Sequence, residues 1–304
     1  MKRRTFIQQT AATGSFLTLG GLTLNSCNTV AEKHITILHT NDVHSHIESF
    51  DATHPLYPNL GGVAKRATLI EQIRLENPNT LLLDAGDIFQ GTPYFNFFGG
   101  EVEFKLMSKL KYDASTIGNH DFDNSIIGLD KQLPHANFDF IISNYDFSNT
   151  VLEGKTKTHK IYVKNGIKIG VFGLGVALDG LVDPLLYKET KYIDPVEITQ
   201  DATRHLKEEE KCDLVICLSH LGYYYKANPD RISDLNLAKL TKHIDLIIGG
   251  HTHTFLKKPT ITKNVLNENV LINQVGKWGL NLGRIDFYFD AAKNISSKGK
   301  SIIV

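Results

Sequence analysis

Five times along the chain, a short apolar run rich in β-branched residues stops abruptly at a cluster of polar residues. The runs cover residues 35–38, 80–83, 114–117, 214–218 and 244–248. Short apolar runs that end at glycine, aspartate or other polar residues are typical of buried strands. Each run therefore predicts a strand with polar side chains at its carboxyl end.

Segments with the spacing of amphipathic helices separate several of these runs. Apolar residues recur three or four positions apart over residues 63–75, 102–110 and 201–210. A strand, a polar turn, a helix and the next strand form the βαβ unit, which implies a parallel or mixed sheet covered by helices. The predicted fold class is therefore α/β. Two further strands are expected over residues 270–274 and 283–289.

The polar residues that follow the strands are expected to lie together, because ligands in such sheets bind at the carboxyl ends of the strands. Eight of them carry groups that bind metals or transfer protons: Asp42, His44, Asp87, Asn119, His120, His220, His251 and His253. Oxygen ligands mixed with imidazoles favour zinc, manganese, iron or cobalt. The set is too large for one tetrahedral ion, whereas two divalent ions sharing a carboxylate would use it. Paired ions of this kind are suited to hydrolysis of a phosphate ester.

Five motifs in order along the chain resemble the calcineurin-like metallophosphoesterases. They are Asn41-Asp42-Val43-His44, Gly86-Asp87-Ile88-Phe89-Gln90-Gly91, Gly118-Asn119-His120-Asp121-Phe122-Asp123, Ser219-His220-Leu221-Gly222 and Gly249-Gly250-His251-Thr252-His253. The chain is similar to the N-terminal catalytic domain of the bacterial 5'-nucleotidase and UDP-sugar hydrolase family, from about residue 35 to residue 289. The resemblance implies a four-layer α/β/β/α sandwich of mixed sheets that forms a single catalytic domain, here residues 33–304.

The resemblance also implies which residues bind the two ions. The first ion would be bound by Asp42, His44, Asp87 and His253. The second would be bound by Asp87, Asn119, His220 and His251. Asp87 would bridge the two ions, and their identity stays open.

The resemblance assigns His120 as the catalytic histidine and pairs it with Asp123. A nearby carboxylate orients an imidazole and favours its charged form, although Asp123 could instead cap a helix. Asn119 and His120 would contact the substrate. Tyr223 and Tyr224 follow His220 closely; they could stack on a base or simply pack against the fold.

The first 27 residues predict an export signal. A basic start, Lys2-Arg3-Arg4, precedes an apolar stretch over residues 11–24 that is too short to span a membrane. The start is similar to a twin-arginine signal. Leu24-Asn25-Ser26-Cys27 resembles a lipoprotein cleavage box, which would place a lipid anchor on Cys27; an ordinary cleaved signal is the alternative. The expected location is the periplasm, or the membrane as an anchored lipoprotein.

The net charge limits the classes of partner that the chain is expected to bind, and the cysteine content limits its disulfides. Lys+Arg and Asp+Glu both number 33 among 304 residues, so no net charge favours nucleic acid or anionic lipid. The expected partner is a small nucleotide or phosphate ester, with membrane contact only through the anchor. Three cysteines cannot form a disulfide framework, and Cys212 and Cys217 are expected to be buried free thiols.

The predicted function is metal-dependent hydrolysis of phosphate monoesters, of the 5'-nucleotidase type, outside the cytoplasm. Typical members of the family that the chain resembles continue into a C-terminal nucleotide-binding domain. That domain is expected to be absent here, and a separate substrate-binding polypeptide is expected to supply it. The alternatives are a phosphodiesterase acting on cyclic nucleotides or nucleotide sugars, a sulfur-ester hydrolase, and a metal-containing subunit without activity of its own. Residues 144–158 are expected to pack weakly, as a surface loop or hairpin.

Overall fold

Two six-stranded mixed sheets form the centre of the protein, for which a computed structural model describes residues 32–304. The strands are β1 Lys33–Thr40, β2 Thr80–Asp84, β3 Ala114–Ser115, β4 Asp139–Phe140, β5 Tyr145–Asp146, β6 His159–Lys164, β7 Ile167–Leu174, β8 Lys191–Tyr192, β9 Leu214–Ser219, β10 Leu246–Gly249, β11 Thr260–Lys263, β12 Asn269–Asn273, β13 Asn281–Phe289 and β14 Ile295–Ile303. The helices are α1 Val63–Glu76, α2 Pro93–Phe98, α3 Glu101–Lys109, α4 Ser125–Gln132, α5 Pro184–Tyr187, α6 Pro195–Arg204 and α7 Asp234–Leu240.

Each large sheet has a parallel centre and at least one antiparallel edge. The first sheet has the order β14-β13-β1-β2-β3-β4 and is parallel from β1 to β4. The second has the order β11-β12-β10-β9-β7-β6 and is parallel from β12 to β7. The carboxyl ends of the parallel strands consequently lie along one edge of each sheet, as the sequence predicts.

Strict alternation along the central strands divides their apolar side chains between two faces. Ile37 of β1 and Leu83 of β2 belong to the core between the two sheets. Leu38 and Leu82 point to the opposite face, where they share a core with Phe104 of α3. This division follows from the period of two in a strand, which places neighbouring residues on opposite faces.

The second sheet is divided in the same way. Ile216 of β9 belongs to the core between the sheets, whereas Val215 and Cys217 pack on the outer face with Leu237 of α7. Helices therefore cover the outer face of each sheet. The predicted four-layer α/β/β/α sandwich is confirmed.

The predicted elements agree with the structure, with differences at their ends. The run over residues 114–117 pairs over only two residues, β3, because the chain turns immediately towards the site. The helix predicted over 201–210 begins earlier, at Pro195, and its regular part ends at Arg204. Asp194 explains the early start, since its side chain accepts hydrogen bonds from the first backbone N–H groups of α6.

Residues 144–158 pack more tightly than predicted. Tyr145, Phe147 and Leu152 are all buried and belong to the core between the first sheet and its helices. The expectation of a weakly packed surface loop was wrong for these three residues, because apolar residues separated by polar ones do not show helix or strand periodicity. Turns over this segment bring them to the same side. Residues 153–158 are largely exposed turns, as expected.

Two further predictions from the sequence concern the cysteines and the N-terminal export signal. Cys212 and Cys217 are buried free thiols, as predicted. Among residues 32–304, the helices lack the combined length and apolarity needed to cross a bilayer. The predicted export signal and the lipid anchor at Cys27 lie outside the described residues.

Candidate metal centre

Loops after five parallel strands, β1, β2, β3, β9 and β10, converge where the edges of the two sheets meet. The loops after β1 and β2 run side by side: Asp42 N donates to Gly86 O at 2.9 Å, and His44 N donates to Asp87 O at 3.1 Å. A loop of the second sheet joins them, because His251 N donates to Asp42 Oδ1 at 2.9 Å. The backbone thus holds the loops of both sheets against one carboxylate.

The first group of converging side chains consists of Asp42, His44, Asp87 and His253. Each offers one ligand atom, and these atoms lie within 4.8 Å of one another. His44 Nε2 lies 3.1 Å from His253 Nε2, which in turn lies 3.4 Å from Asp42 Oδ1. Two carboxylates and two imidazoles in this arrangement could hold a divalent cation.

The second group shares Asp87 with the first and adds His220 and His251. His220 Nε2 lies 3.1 Å from Asp87 Oδ2, and Asn119 Oδ1 lies 2.8 Å from His251 Nδ1. The structure thus brings together all seven side chains that the sequence predicts as metal ligands. Asp87 lies where the two groups meet.

The hydrogen bonds of two histidines show that these groups fit a cation. His220 Nδ1 lies 2.6 Å from Ala85 O, and His44 Nδ1 lies 3.1 Å from Phe89 O, so both rings carry their proton on Nδ1. Their Nε2 atoms therefore point into the centre. His220 Nε2 is buried and has no well-aligned hydrogen-bond partner, although Asp87 Oδ2 lies 3.1 Å away. Imidazoles anchored through one nitrogen to a backbone carbonyl, with the other nitrogen free, are typical of metal ligands.

The electrostatics of the centre favour an ionised Asp87 and a neutral His251. Burial raises the pKa of the Asp87 carboxyl, but the imidazolium of His220 outweighs burial and keeps this pKa below its ordinary value. Burial lowers the pKa of His220, but Asp87 outweighs burial and raises it to about 10, so a cation would replace the proton on His220 Nε2. Burial lowers the pKa of His251 to about 4. Asp87 and His251 thus have the protonation states that metal binding requires.

Backbone strain is concentrated in the same loops. Five of the seven predicted ligands have φ in the left-handed region, which non-glycine residues seldom adopt: Asp42 at 50°, His44 at 49°, Asp87 at 55°, His251 at 71° and His253 at 50°. Such residues cost on the order of 1–3 kcal/mol each and cluster at functional sites. The strain indicates that these loops are shaped for binding rather than for stability.

His120 lies beside the centre, outside both groups of potential ligands. Its backbone N donates to Asp87 Oδ1 at 2.8 Å, and its ring centre is 5.3 Å from that of His44. Its Nδ1 lies 2.8 Å from Asp123 Oδ2, and this hydrogen bond raises the pKa of His120. The ring is 37% exposed and so accessible to a small molecule. The next helix begins at Ser125, where the cap position is Asn124 and not Asp123.

Of the tyrosines after His220, Tyr223 mainly contacts other residues of the protein. The Tyr223 hydroxyl lies 2.9 Å from Thr260 Oγ1, and its ring packs against the outer core of the second sheet. Tyr224 is 37% exposed. His39 is buried in β1 beside Asn273, and burial lowers its pKa to about 3.

Asp121 supports the centre and has no role in the sequence-based assignment. Its carboxylate accepts hydrogen bonds from four backbone N–H groups: Asp87 at 3.1 Å, Ile88 at 2.9 Å, Phe89 at 3.2 Å and Gly118 at 2.8 Å. It thereby ties the loop after β2 to the loop after β3. The available signal was an acidic residue inside a glycine-led turn, a position where carboxylates often accept backbone hydrogen bonds.

Asn41 supports the centre in a similar way. Its Nδ2 donates to Asp42 Oδ2 at 2.6 Å, and its Oδ1 accepts from Val275 N at 2.9 Å. The amide therefore orients a predicted ligand against the loop after β12. Gly118 is also constrained, because a Cβ atom there would collide with the Asp87 carboxylate.

Replacing Asp121 with alanine is expected to lower the free energy of unfolding by about 3 kcal/mol or more, because several buried N–H groups lose their acceptor. Chemical denaturation of the purified variant measures the change. Asp130→Ala is the control, since Asp130 binds only the surface Lys155 in the described structure. Equal stability of the Asp121 and Asp130 variants would contradict this role.

The sandwich fold, with clustered carboxylates and imidazoles at its strand ends, defines a metallohydrolase. The calcineurin-like phosphoesterase family model matches residues 35–255. The chain belongs to this family, as the sequence motifs predict.

The proteins that the chain resembles include a nucleotide phosphoesterase and 5'-nucleotidases. The chain is 33% identical to the trifunctional nucleotide phosphoesterase protein YfkN of Bacillus subtilis, over 84% of this chain and 18% of that protein. It is 31% identical to a 5'-nucleotidase of Vibrio vulnificus, over 95% of this chain and 55% of that protein. The crystal structure of a 5'-nucleotidase precursor from Thermus thermophilus superposes with a TM-score of 0.80 at 31% identity, covering 90% of this chain and 55% of that one. The chain thus spans about half or less of these relatives.

Proposed function

We propose that the protein is a two-metal hydrolase of phosphate monoesters that releases phosphate from 5'-nucleotides outside the cytoplasm. The first ion would be held by Asp42, His44, Asp87 and His253. The second would be held by Asp87, Asn119, His220 and His251. Divalent ions there would polarise the phosphoryl group and stabilise the charge that develops on its oxygens. The observation that carries the proposal is the position of Asp87 in both groups.

The residues of the chain supply the rest of the site. Asn119 joins the second group through its Oδ1, 2.8 Å from His251 Nδ1, which leaves its Nδ2 to donate to a phosphoryl oxygen. His120 extends beside both groups, and its raised pKa favours the imidazolium form, which can donate a proton to the leaving oxygen. Asp123 holds the ring in place through the 2.8 Å contact with Nδ1. Asp123 therefore acts as a positioning residue.

Removal of divalent ions is expected to lower AMP hydrolysis at least 100-fold, because Asp42, Asp87 and the histidines alone do not neutralise the charge of the phosphoryl group. The full chain is treated with EDTA, dialysed, and supplied separately with manganese, zinc, iron or cobalt. Phosphate release is measured, and activity should return with at least one metal. Activity that survives chelation would contradict the two-metal assignment, provided that elemental analysis confirms metal removal.

Substrate choice separates the proposal from its alternatives. AMP, UDP-glucose, cyclic AMP and p-nitrophenyl phosphate are compared at equal concentration with the metal that restores activity. Preferential hydrolysis of AMP supports the nucleotidase proposal. Hydrolysis of UDP-glucose or cyclic AMP alone would identify a phosphodiesterase. An absence of turnover with a loaded chain would instead favour a metal-containing subunit that requires a separate substrate-binding polypeptide.

A further inference from the structure

An open cavity of about 450 Å³ lies next to the metal centre. We call it the aromatic cleft; its main lining residues are His46, Phe50, Thr92, Tyr94, Phe97 and Phe98. The volume lies within the range of roughly 300–1,000 Å³ typical of small-molecule pockets. No predicted metal ligand lines it, so it is separate from the metal centre.

Both walls of the aromatic cleft continue from loops that carry predicted ligands. His46 follows His44 by two residues, so their Cα atoms are at most about 7.6 Å apart. The opposite wall is α2, which begins six residues after Asp87. Thr92 Oγ1 donates to Ser45 O at 2.9 Å and joins the two walls at the end nearest the centre. A molecule with its phosphate at the centre thus has the cleft within reach.

The floor of the aromatic cleft consists of rings that pack on one another, and one of its sides is exposed. Phe50 stacks on His46 with ring centres 5.0 Å apart, and it packs on Trp278 at 5.6 Å. Phe97 and Phe98 are 81% and 50% exposed. Two phenylalanines so exposed beside an ordered aromatic floor indicate a surface that is covered by a ligand.

We propose that the aromatic cleft binds the ring of the leaving group, a nucleobase, while the phosphate lies at the metal centre. This proposal rests on the proposed function and specifies its substrate class. Aromatic side chains stack on the faces of bases and tolerate different bases. The polar rim supplies partners for the ring edge or the sugar: Tyr94 donates to Glu48 Oε1 at 2.9 Å, and that carboxylate can also accept from a ligand hydroxyl or amino group.

The occupant is better described as a small planar ring than as a protein. The cleft is bounded by two walls that are joined to each other, at Thr92 near the centre and at Tyr94 and Glu48 at the rim. The tyrosines after His220 offer less, because the Tyr223 ring packs against the outer core of the second sheet and the Arg231 guanidinium lies 4.1 Å from the centre of the Tyr225 ring. A polypeptide that covers Phe97 and Phe98 is the competing occupant, and the experiment separates it from a base.

The test is Phe97→Ala in the full, metal-loaded chain, with AMP and ribose 5-phosphate as substrates. Both are phosphate monoesters, but only AMP carries a base. We expect the KM for AMP to rise at least five-fold, with kcat within two-fold of wild type. The KM for ribose 5-phosphate should stay within two-fold. Leu75→Ala is the matched control, because Leu75 is also 81% exposed but lies on α1, outside the cleft.

The outcomes are distinguishable. Equal KM changes for both substrates, or no change for AMP, would overturn the cleft assignment while leaving phosphate hydrolysis intact. An unchanged AMP KM combined with loss of a co-purifying polypeptide would identify the cleft as a protein-docking face and would also overturn it. Failure of the wild-type chain to hydrolyse either substrate would instead be a failure of the proposed function. Phe98→Ala provides a second variant at the same wall.

Discussion

Asp87→Asn is expected to reduce hydrolysis of AMP by roughly 10³-fold or more, since bound ions contribute several kcal/mol of transition-state stabilisation. The amide keeps the size of the carboxylate and can still accept from the backbone N–H of His120. It loses the negative charge that both groups of ligands share. Elemental analysis should therefore find both ions depleted. Phosphate release under saturating metal measures the rate.

Asp130→Asn is the matched control for this substitution. Asp130 lies on α4 and pairs with Lys155 at 2.6 Å, away from the centre. Its variant should retain wild-type activity and metal content. Circular dichroism establishes whether the Asp87 variant remains folded. A folded Asp87→Asn variant that keeps both ions and its activity would show that Asp87 does not bridge them.

His120→Ala is expected to lower kcat by roughly 10²- to 10³-fold, the range attributed to a general acid or base. The two groups of potential ligands do not include His120, so the metal content should stay near that of wild type. Asp123→Asn should have a smaller effect, about ten-fold, because Asp123 acts only through the ring it orients. Steady-state kinetics combined with elemental analysis of each variant measure both quantities.

The chain contains a suitable control for the His120–Asp123 pair. His205 Nδ1 lies 2.8 Å from Glu209 Oε2, and the His205 side chain is 35% exposed, close to the 37% of His120. His205→Ala removes a similar imidazole–carboxylate contact far from the centre and should not change kcat. Loss of ions from the His120 variant would contradict its role as a non-ligand.

Much of the fold was predictable because buried strands leave a strong pattern. The apolar runs before Asp42, Asp87, His220 and His251 all form strands, and their polar ends meet as expected from the parallel arrangement. Strand order follows from pairing between distant segments. The place of β13 beside β1 therefore could not be derived from local spacing.

The ligands of the candidate metal centre were predictable from the sequence, whereas the residues that hold those ligands in place were not. Seven predicted ligands converge because each lies within four residues of the end of a strand, so position along the chain indicates position in space. The roles of Asn41 and Asp121 depend on backbone N–H groups that become neighbours only in the folded state. Side-chain type alone does not distinguish such a carboxylate from a turn residue.

The aromatic cleft also depends on contacts between residues that are far apart in the sequence. Phe50 and Trp278 are 228 positions apart in the chain, yet their rings pack at 5.6 Å. Exposed aromatics on α2 do not follow a helical stripe facing the core. The sequence-based hypothesis therefore assigned base stacking to the tyrosines after His220, because they are adjacent to a predicted ligand in the chain.

The most direct test of a two-metal centre is the number of ions that the chain binds. The metal-free full chain is titrated with manganese, and bound metal per chain is measured at saturation by elemental analysis after removal of free ion. A paired centre predicts a plateau at two ions per chain, with AMP hydrolysis reaching its maximum only as the second site fills. A plateau at one ion, or at none, would contradict a paired centre bridged by Asp87.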